Sequence, residues 1–273
     1  MPGICGLGIT EVFTSMTRDE IFNLLEKNQI SMRPDDGAAL EIIERYVNAE
    51  DSGTCAEVSE ELAKLDESID KAADAAESVY RGASEAAMHA VGTIRYMLDG
   101  WGTRSILRDF AFSFSYDERR YIANTFSDTC AVLQADMTEM SSVYGRAGEA
   151  AAMLRSCAAD ASSLASELKY AALAARLKGD DSLEADRQAL SDETRERAEA
   201  AEKLAAEIIG VIRSLSTAMA SISAAVPAAA AALHFDDDGE DISDLSKLIS
   251  PKRAAAALSD AVSAVTAAGF DFG

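Results

Sequence analysis

Few side chains in this sequence can do chemistry, and their spacing does not bring them together. His89 and His234 are the only histidines, and Cys5, Cys55, Cys130 and Cys157 the only cysteines. None of the cysteines forms C-x-x-C, so neither a zinc knuckle nor a thioredoxin-type redox site is indicated. Cys130 and Cys157 are expected on one helix, about 40 Å apart at 1.5 Å per residue, too far to bridge. Glu85 and His89 stand four apart, whereas a carboxylate-bridged di-iron bundle needs Glu-x-x-His on two helices. The sequence therefore predicts His89 as a half-buried packing residue. The acidic run Asp236, Asp237, Asp238, Glu240, Asp241 and Asp244 has Gly239 misplaced for an EF-hand and no closing Glu. It reads as a solvated loop, with weak Ca²⁺ binding as the alternative. Gly3, Gly6 and Gly8 stand too near the amino terminus to follow a strand, as a dinucleotide-binding turn would. The expectation is a protein that is not an enzyme, with no catalytic residue, cofactor or metal ligand.

The residues that could do binding chemistry are clustered. The segment 100–116, GWGTRSILRDFAFSFSY, holds the only Trp of a chain with 6% aromatics. Phe110, Phe112, Phe114 and Tyr116 alternate with small residues at period two, the pattern of a strand. This segment reads either as an aromatic plug closing a helix–helix turn or as an exposed contact for a membrane or partner. Arg104 and Arg108 could flank headgroups, or pair with Asp99 and Asp109. Residues 214–235, SLSTAMASISAAVPAAAAALHF, contain no Asp, Glu, Lys or Arg. Their length matches the roughly 20 residues that cross a bilayer, but Ala, Ser and Thr outnumber Leu, Ile and Phe. The alternatives are a helix buried on all sides and a stretch that later enters lipid or an oligomer interface. The expected membrane or partner contacts are Trp101, Phe110, Phe112, Phe114, Tyr116, Leu215, Met219, Ile222 and Val226.

These segments must be positioned by helices. The four prolines are Pro2, Pro34, Pro227 and Pro251, and 53 residues are Ala. A long Pro-free, Ala-rich span suits long helices, because Ala costs least and Pro most in a helix interior. Cap signals divide the span. Thr17-x-x-Glu20 opens a short helix, and Asp35 or Asp36 caps a second at about 37–50. Thr54-x-x-Glu57 opens a long helix closed at Gly100. Ser115-x-x-Glu118 opens another closed at Gly179. Asp181-x-x-Glu184 opens a third running to about 233, where Pro227 would kink or end it. Ser250-Pro251 starts a last helix that Gly269 closes.

Apolar residues follow alternating steps of four and three: Val58, Leu62, Leu65, Ile69, Ala72, Ala76, Val79, Ala83, Ala86 and Ala90 in the first long helix. The second carries Leu133, Met137, Met140, Tyr144, Ala147, Ala151, Leu154, Ala158, Ala161, Ala165, Leu168, Ala172 and Ala175. The third carries Ala201, Leu204, Ile208, Val211, Leu215, Ala218, Ile222 and Ala225. This is the 3.5-residue repeat of packed helices. The lengths come to about 46, 63 and 54 residues, roughly 70, 95 and 80 Å. Short connections make neighbours antiparallel. The predicted fold class is all-α, an elongated antiparallel bundle of three very long Ala-rich helices with short N- and C-terminal helices. The expected organisation is an N-terminal segment 1–52, a bundle 53–235, and an acidic loop with a C-terminal helix at 236–273. Gly82, Gly92, Gly145, Gly148 and Gly210 inside the helices read as close crossings or as hinges.

With 25 basic and 47 acidic residues the net charge is −22, which argues against nucleic acid, since phosphate binding needs clustered Lys and Arg. MPGICGLGITEVF has no basic n-region and does not read as a secretory signal. A soluble protein is expected, cytoplasmic or released without a cleavable signal peptide. The Ala-rich long helices, the aromatic tongue and the separate apolar stretch together resemble the cytolysin A type of α-helical pore-forming toxin, which includes the haemolysin BL components. The resemblance spans roughly 54–235 and is one of pattern. It implies a soluble monomer that exposes an apolar element at a membrane and oligomerises into a helical pore. The other expectation, from the bundle itself, is a non-catalytic structural or scaffold protein that self-associates or holds a protein partner, with membrane contact only conditional.

Overall fold

A computed structural model describes residues 15–30, 32, 37–49, 51–108, 114–234 and 250–270. The chain is all-α, with no strand among the described residues. Its helices are α1 (Arg18–Lys27), α2 (Gly37–Asn48), α3 (Asp51–Thr103), α4 (Tyr116–Lys178), α5 (Asp181–Leu233) and α6 (Pro251–Ala267). The three long ones have 53, 63 and 53 residues. The acidic run, the Asp35 and Asp36 caps, Cys5, Gly3, Gly6 and Gly8 lie outside the described residues.

Most helix ends follow the caps in the sequence. Glu20 reaches back to the Thr17 N–H at 2.8 Å, and Glu118 to the Ser115 N–H at 2.8 Å. The Ser115 hydroxyl accepts in turn from the Glu118 N–H at 3.3 Å. Ser250 accepts from the Arg253 N–H with Pro251 at the first helical position. Gly179 and Gly269 take φ of +79° and +90° just beyond α4 and α6, a conformation open to Gly because it lacks Cβ. Three ends differ from expectation. α3 begins at Asp51, so Thr54 lies inside it, and it runs past Gly100 to Thr103. α5 is capped by Asp180 rather than Asp181, its carboxylate accepting from the Leu183 N–H at 3.0 Å. Pro227 does not end α5, which continues to Leu233. Tyr116 starts α4 instead of extending a strand, and Phe110 and Phe112 lie outside the described residues.

The reach-back bonds hold both Glu20 and Glu118 below the usual carboxylate range, chiefly through bonding to Thr17 and Ser115 respectively. A depressed carboxylate contributes stability above its unfolded pKa of about 4.3 and loses it as pH falls through the lower folded value. Glu118→Gln keeps an acceptor but removes the titration. Its melting temperature should therefore fall less steeply than that of the parent across an acid titration followed by circular dichroism.

The residues gather into two compact units, residues 1–68 with 157–200, and 69–156 with 201–273. In the first, α2 packs on the end of α4, where the Tyr46 hydroxyl donates to Glu167 at 2.9 Å and Arg45 pairs with Glu167. α5 runs antiparallel to α4. Arg187 donates to the Ala171 carbonyl at 3.0 Å and Ser191 to the Ala165 carbonyl at 2.7 Å. Arg197 joins Glu193 at 2.9 Å, an i,i+4 pair, and also reaches Asp66 on α3. In the second unit α3 and α4 are antiparallel. Trp101 faces Thr125, His89 faces Asp136, and Gly82 faces Val143, the α4 number rising as the α3 number falls. α6 returns antiparallel along α5, with Ser250 bonded to Ala232 and Ser214 to Ala268.

The Ala-rich seams are buried. Ala72, Ala76, Ala83 and Ala90 of α3 and Ala147, Ala161, Ala172 and Ala175 of α4 are all at most 2% exposed. Two expected seam positions shift by one residue: Tyr144 is 42% exposed while Val143 is buried. The seam therefore steps from Met140 to Val143 to Ala147. It also passes through buried Asp136 in place of the half-buried Met137.

Close crossing accounts for one of the five glycines that the sequence places inside helices. A Cβ on Gly82 would meet Val143 at 3.2 Å, whereas Gly92, Gly145, Gly148 and Gly210 have nothing within 4 Å. Gly145 and Gly148 are solvent-exposed inside α4. Gly145→Ala and Gly148→Ala should each stabilise the fold by about 0.5–1 kcal/mol. Thermal unfolding checks this, with Gly82→Ala expected to gain nothing because its new methyl crowds Val143.

Candidate functional site on the long helices

Among the described residues, two surfaces of the second unit lie uncovered. The first is a groove of about 1100 Å³ between α3 and α4. Its α3 wall is a stripe at three- and four-residue steps: Glu85, Met88, Gly92, Tyr96, Asp99 and Thr103. Its α4 wall is Tyr121, Thr125, Asp128 and Val132, with Met97 and Thr129 buried at the floor. From Glu85 to Thr103 this is about 27 Å, and from Tyr121 to Val132 about 17 Å, at 1.5 Å per residue. Tyr96 is 84% exposed, and Met88 and Val132 are also exposed. Such large apolar side chains side by side at one opening differ from scattered surface hydrophobics.

Carboxylates are the charged groups of the groove's lining. Glu85, Asp99 and Asp128 are exposed on its rim and no Lys or Arg lines it. Arg104 stacks over the Tyr121 ring at 3.7 Å from its centroid, at one end. His89 lines the other end and is not the half-buried packing residue expected. Its side chain is 66% exposed and its Nδ1 lies 2.7 Å from an Asp136 carboxylate oxygen. Asp136 is buried, and its second carboxylate oxygen has no partner in the structure. The pairing brings together side chains 47 residues apart. The sequence could not supply it, because it depends on how α3 and α4 are registered.

Trp101 does not line the groove. It is fully buried, and its indole N–H donates to Thr125 Oγ1 at 2.8 Å. Thr125 in turn donates to the Tyr121 carbonyl at 2.7 Å. The indole thus sits behind the α4 wall. Of its expected companions, Phe114 is half-buried and Tyr116 is 61% exposed.

The second surface is the carboxy-terminal half of α5. It is not buried on all sides. Leu215, Ala218, Ile222, Ala225, Ala229 and Leu233 are buried, and Met219 and Val226 are half-buried. Thr217, Ala220, Ala224, Pro227 and Ala231, again at steps of three and four, are exposed. Of the expected contact residues on α5, Leu215 and Ile222 therefore belong to the core face. An 18-residue window of α5 is long and apolar enough to cross a membrane, and 28% of it is buried.

Among the described residues, no three His, Cys, Asp or Glu side chains are grouped to hold a metal ion. Burial pushes the Cys130 thiol up to about 11, so it stays protonated at neutral pH, and burial raises Cys157 as well. Protonated thiols are poor nucleophiles and ligands. The chain matches no protein-family model, no curated protein and no solved structure.

Proposed function

We propose that the chain is a non-catalytic helical scaffold that self-associates through the exposed face of the carboxy-terminal half of α5. The observation that carries this reading is that α5 has two stripes here, and among the described residues only one is covered. The uncovered stripe is made of small residues, which let helix axes approach closely. It also lies in a stretch free of charge from Ser214 to His234, in a chain of net charge −22. With 47 acidic and 25 basic residues in the chain, a self-contact elsewhere works against net like charge, whereas this stretch contributes no carboxylate of its own. A second copy of the same face is therefore the occupant that the charge distribution favours.

Light scattering from micromolar to near-millimolar concentration tests the proposal. The parent should form a defined oligomer. Ala224→Glu, on the exposed stripe, should shift the midpoint upward by about tenfold or more, as like charges meet across a symmetric contact. A parent that stays monomeric throughout, or an Ala224→Glu variant that associates equally well, overturns it.

The same stretch favours a second reading, membrane activity of the pore-forming kind, because its length and composition suffice for a span. Dye release from liposomes that Ala224→Glu abolishes, without association in lipid-free buffer, would select that reading instead.

A further inference from the structure

We propose that the α3–α4 groove is a docking site for a basic amphipathic helix of another protein. The occupant is specified by length and charge together. Walls of about 17 and 27 Å correspond to 11–18 helical residues, beyond the reach of a compact small molecule. The groove runs between two antiparallel helices, so a third helix laid along it meets side-chain stripes at three- and four-residue steps on both sides. Met88, Tyr96 and Val132 offer the apolar contacts, at a place where the described chain lays nothing over them.

The rim then selects the sign of the partner. Glu85, Asp99 and Asp128 stand along both walls. Asp99 lies in the last turns of α3, where the helix dipole disfavours an anion and no basic residue of the last turn compensates. A Lys or Arg on the flank of a docked helix would satisfy it. A second copy of this acidic chain is the poorer occupant, so the groove and the α5 face serve different contacts.

The test uses the full chain and its only Trp as reporter, since Trp101 is bonded to Thr125 of the groove wall. The probe is a leucine–lysine amphipathic peptide of about 18 residues, the span of the α3 wall. It should shift Trp101 fluorescence saturably. Neutralising the rim with Glu85→Gln, Asp99→Asn and Asp128→Asn should weaken binding about tenfold, the sum of three exposed ion pairs. Met88→Lys with Val132→Lys, which removes the apolar contacts and sets like charges against the peptide, should abolish it. Neutralising the exposed Glu196, Glu199 and Glu202 of α5 to Gln is the charge-matched control and should change nothing.

Equal weakening by the control would show diffuse attraction to an acidic surface and overturn the proposal. So would equal binding of a leucine–glutamate peptide, or failure of the lysine peptide to bind. Binding of tetraphenylphosphonium in the groove without the peptide would replace a helix by a small organic cation and overturn it too. All variants are at exposed positions, and circular dichroism confirms that each folds.

Discussion

Trp101→Ala is expected to destabilise the protein by about 3–5 kcal/mol, the range for removing a fully buried large aromatic. The indole is wholly enclosed, and Met97, Ile106, Ile122 and Phe126, which are near it in sequence or share its α4 neighbourhood, are also buried. The surrounding turns are held by backbone bonds, including Ile106 N–H to the Trp101 carbonyl at 3.0 Å. Such a site collapses only partly, so most of the cavity persists. Thr125 loses its indole donor but keeps its own bond to Tyr121, which makes the missing volume the main term. Trp101→Phe should accordingly cost less, about 1–2 kcal/mol, for the lost hydrogen bond and a smaller void. Tyr96→Ala, at an aromatic that is 84% exposed, should fall within about 0.5 kcal/mol of the parent. Chemical denaturation of the three variants checks the order. If Trp101→Ala proved as mild as Tyr96→Ala, the plug role would be wrong.

This ordering bears on how surface activity is tested. Loss of membrane or partner binding in Trp101→Ala would report unfolding of the second unit rather than a missing contact. Tyr96 on the groove and Ala224 on α5 are exposed, so changes there separate binding from folding.

The elements were legible in the sequence because their signals are local. Ser115 with Glu118, Ser250 with Pro251, and Gly179 each satisfy backbone groups within a turn of themselves, and they marked helix ends closely. Failures came where a second helix decides. Thr54-x-x-Glu57 has the spacing of a capping box, yet the chain is already helical from Asp51. Val143 and Tyr144 are equally good seam residues by spacing, and only the approach of Gly82 selects Val143. Asp136 looks like a surface carboxylate until His89 is placed opposite it. The groove was invisible for the same reason. Its walls are flanks of two helices on which apolar Met88, Tyr96 and Val132 are spaced among polar residues, and they become one surface only when Trp101 is registered against Thr125. The exposed stripe of α5 was half legible: freedom from charge was plain, but which face α5 buries was not.

Ala161→Leu is expected to destabilise by about 1–3 kcal/mol although it adds apolar surface and keeps helix propensity. Ala161 is fully buried, with Ala158 and Ala165 on the same face of α4. The opposing helix comes close: the Ser191 hydroxyl, one carbon from its backbone, touches the Ala165 carbonyl of α4 at 2.7 Å. Contact between so short a side chain and a backbone oxygen requires axes at the near end of the 8–10 Å range. Leucine brings three further carbons into that space. It must leave its rotamer well or push α5 away, and separation would break the Ser191 and Arg187 bonds to α4 carbonyls. Arg187 is itself buried, so its displacement would leave a charged group poorly partnered. Ala152→Leu, two turns and a half away on the exposed side of α4, should be neutral within about 0.5 kcal/mol. Denaturant midpoints of the pair decide the matter. A stabilising Ala161→Leu would mean that the seam has room to spare, and that Ala is there for helix propensity alone. A loss confined to Ala161 would mean that the 53 alanines set interhelical distance where they are buried, which makes small side chains the feature that fixes the bundle's geometry.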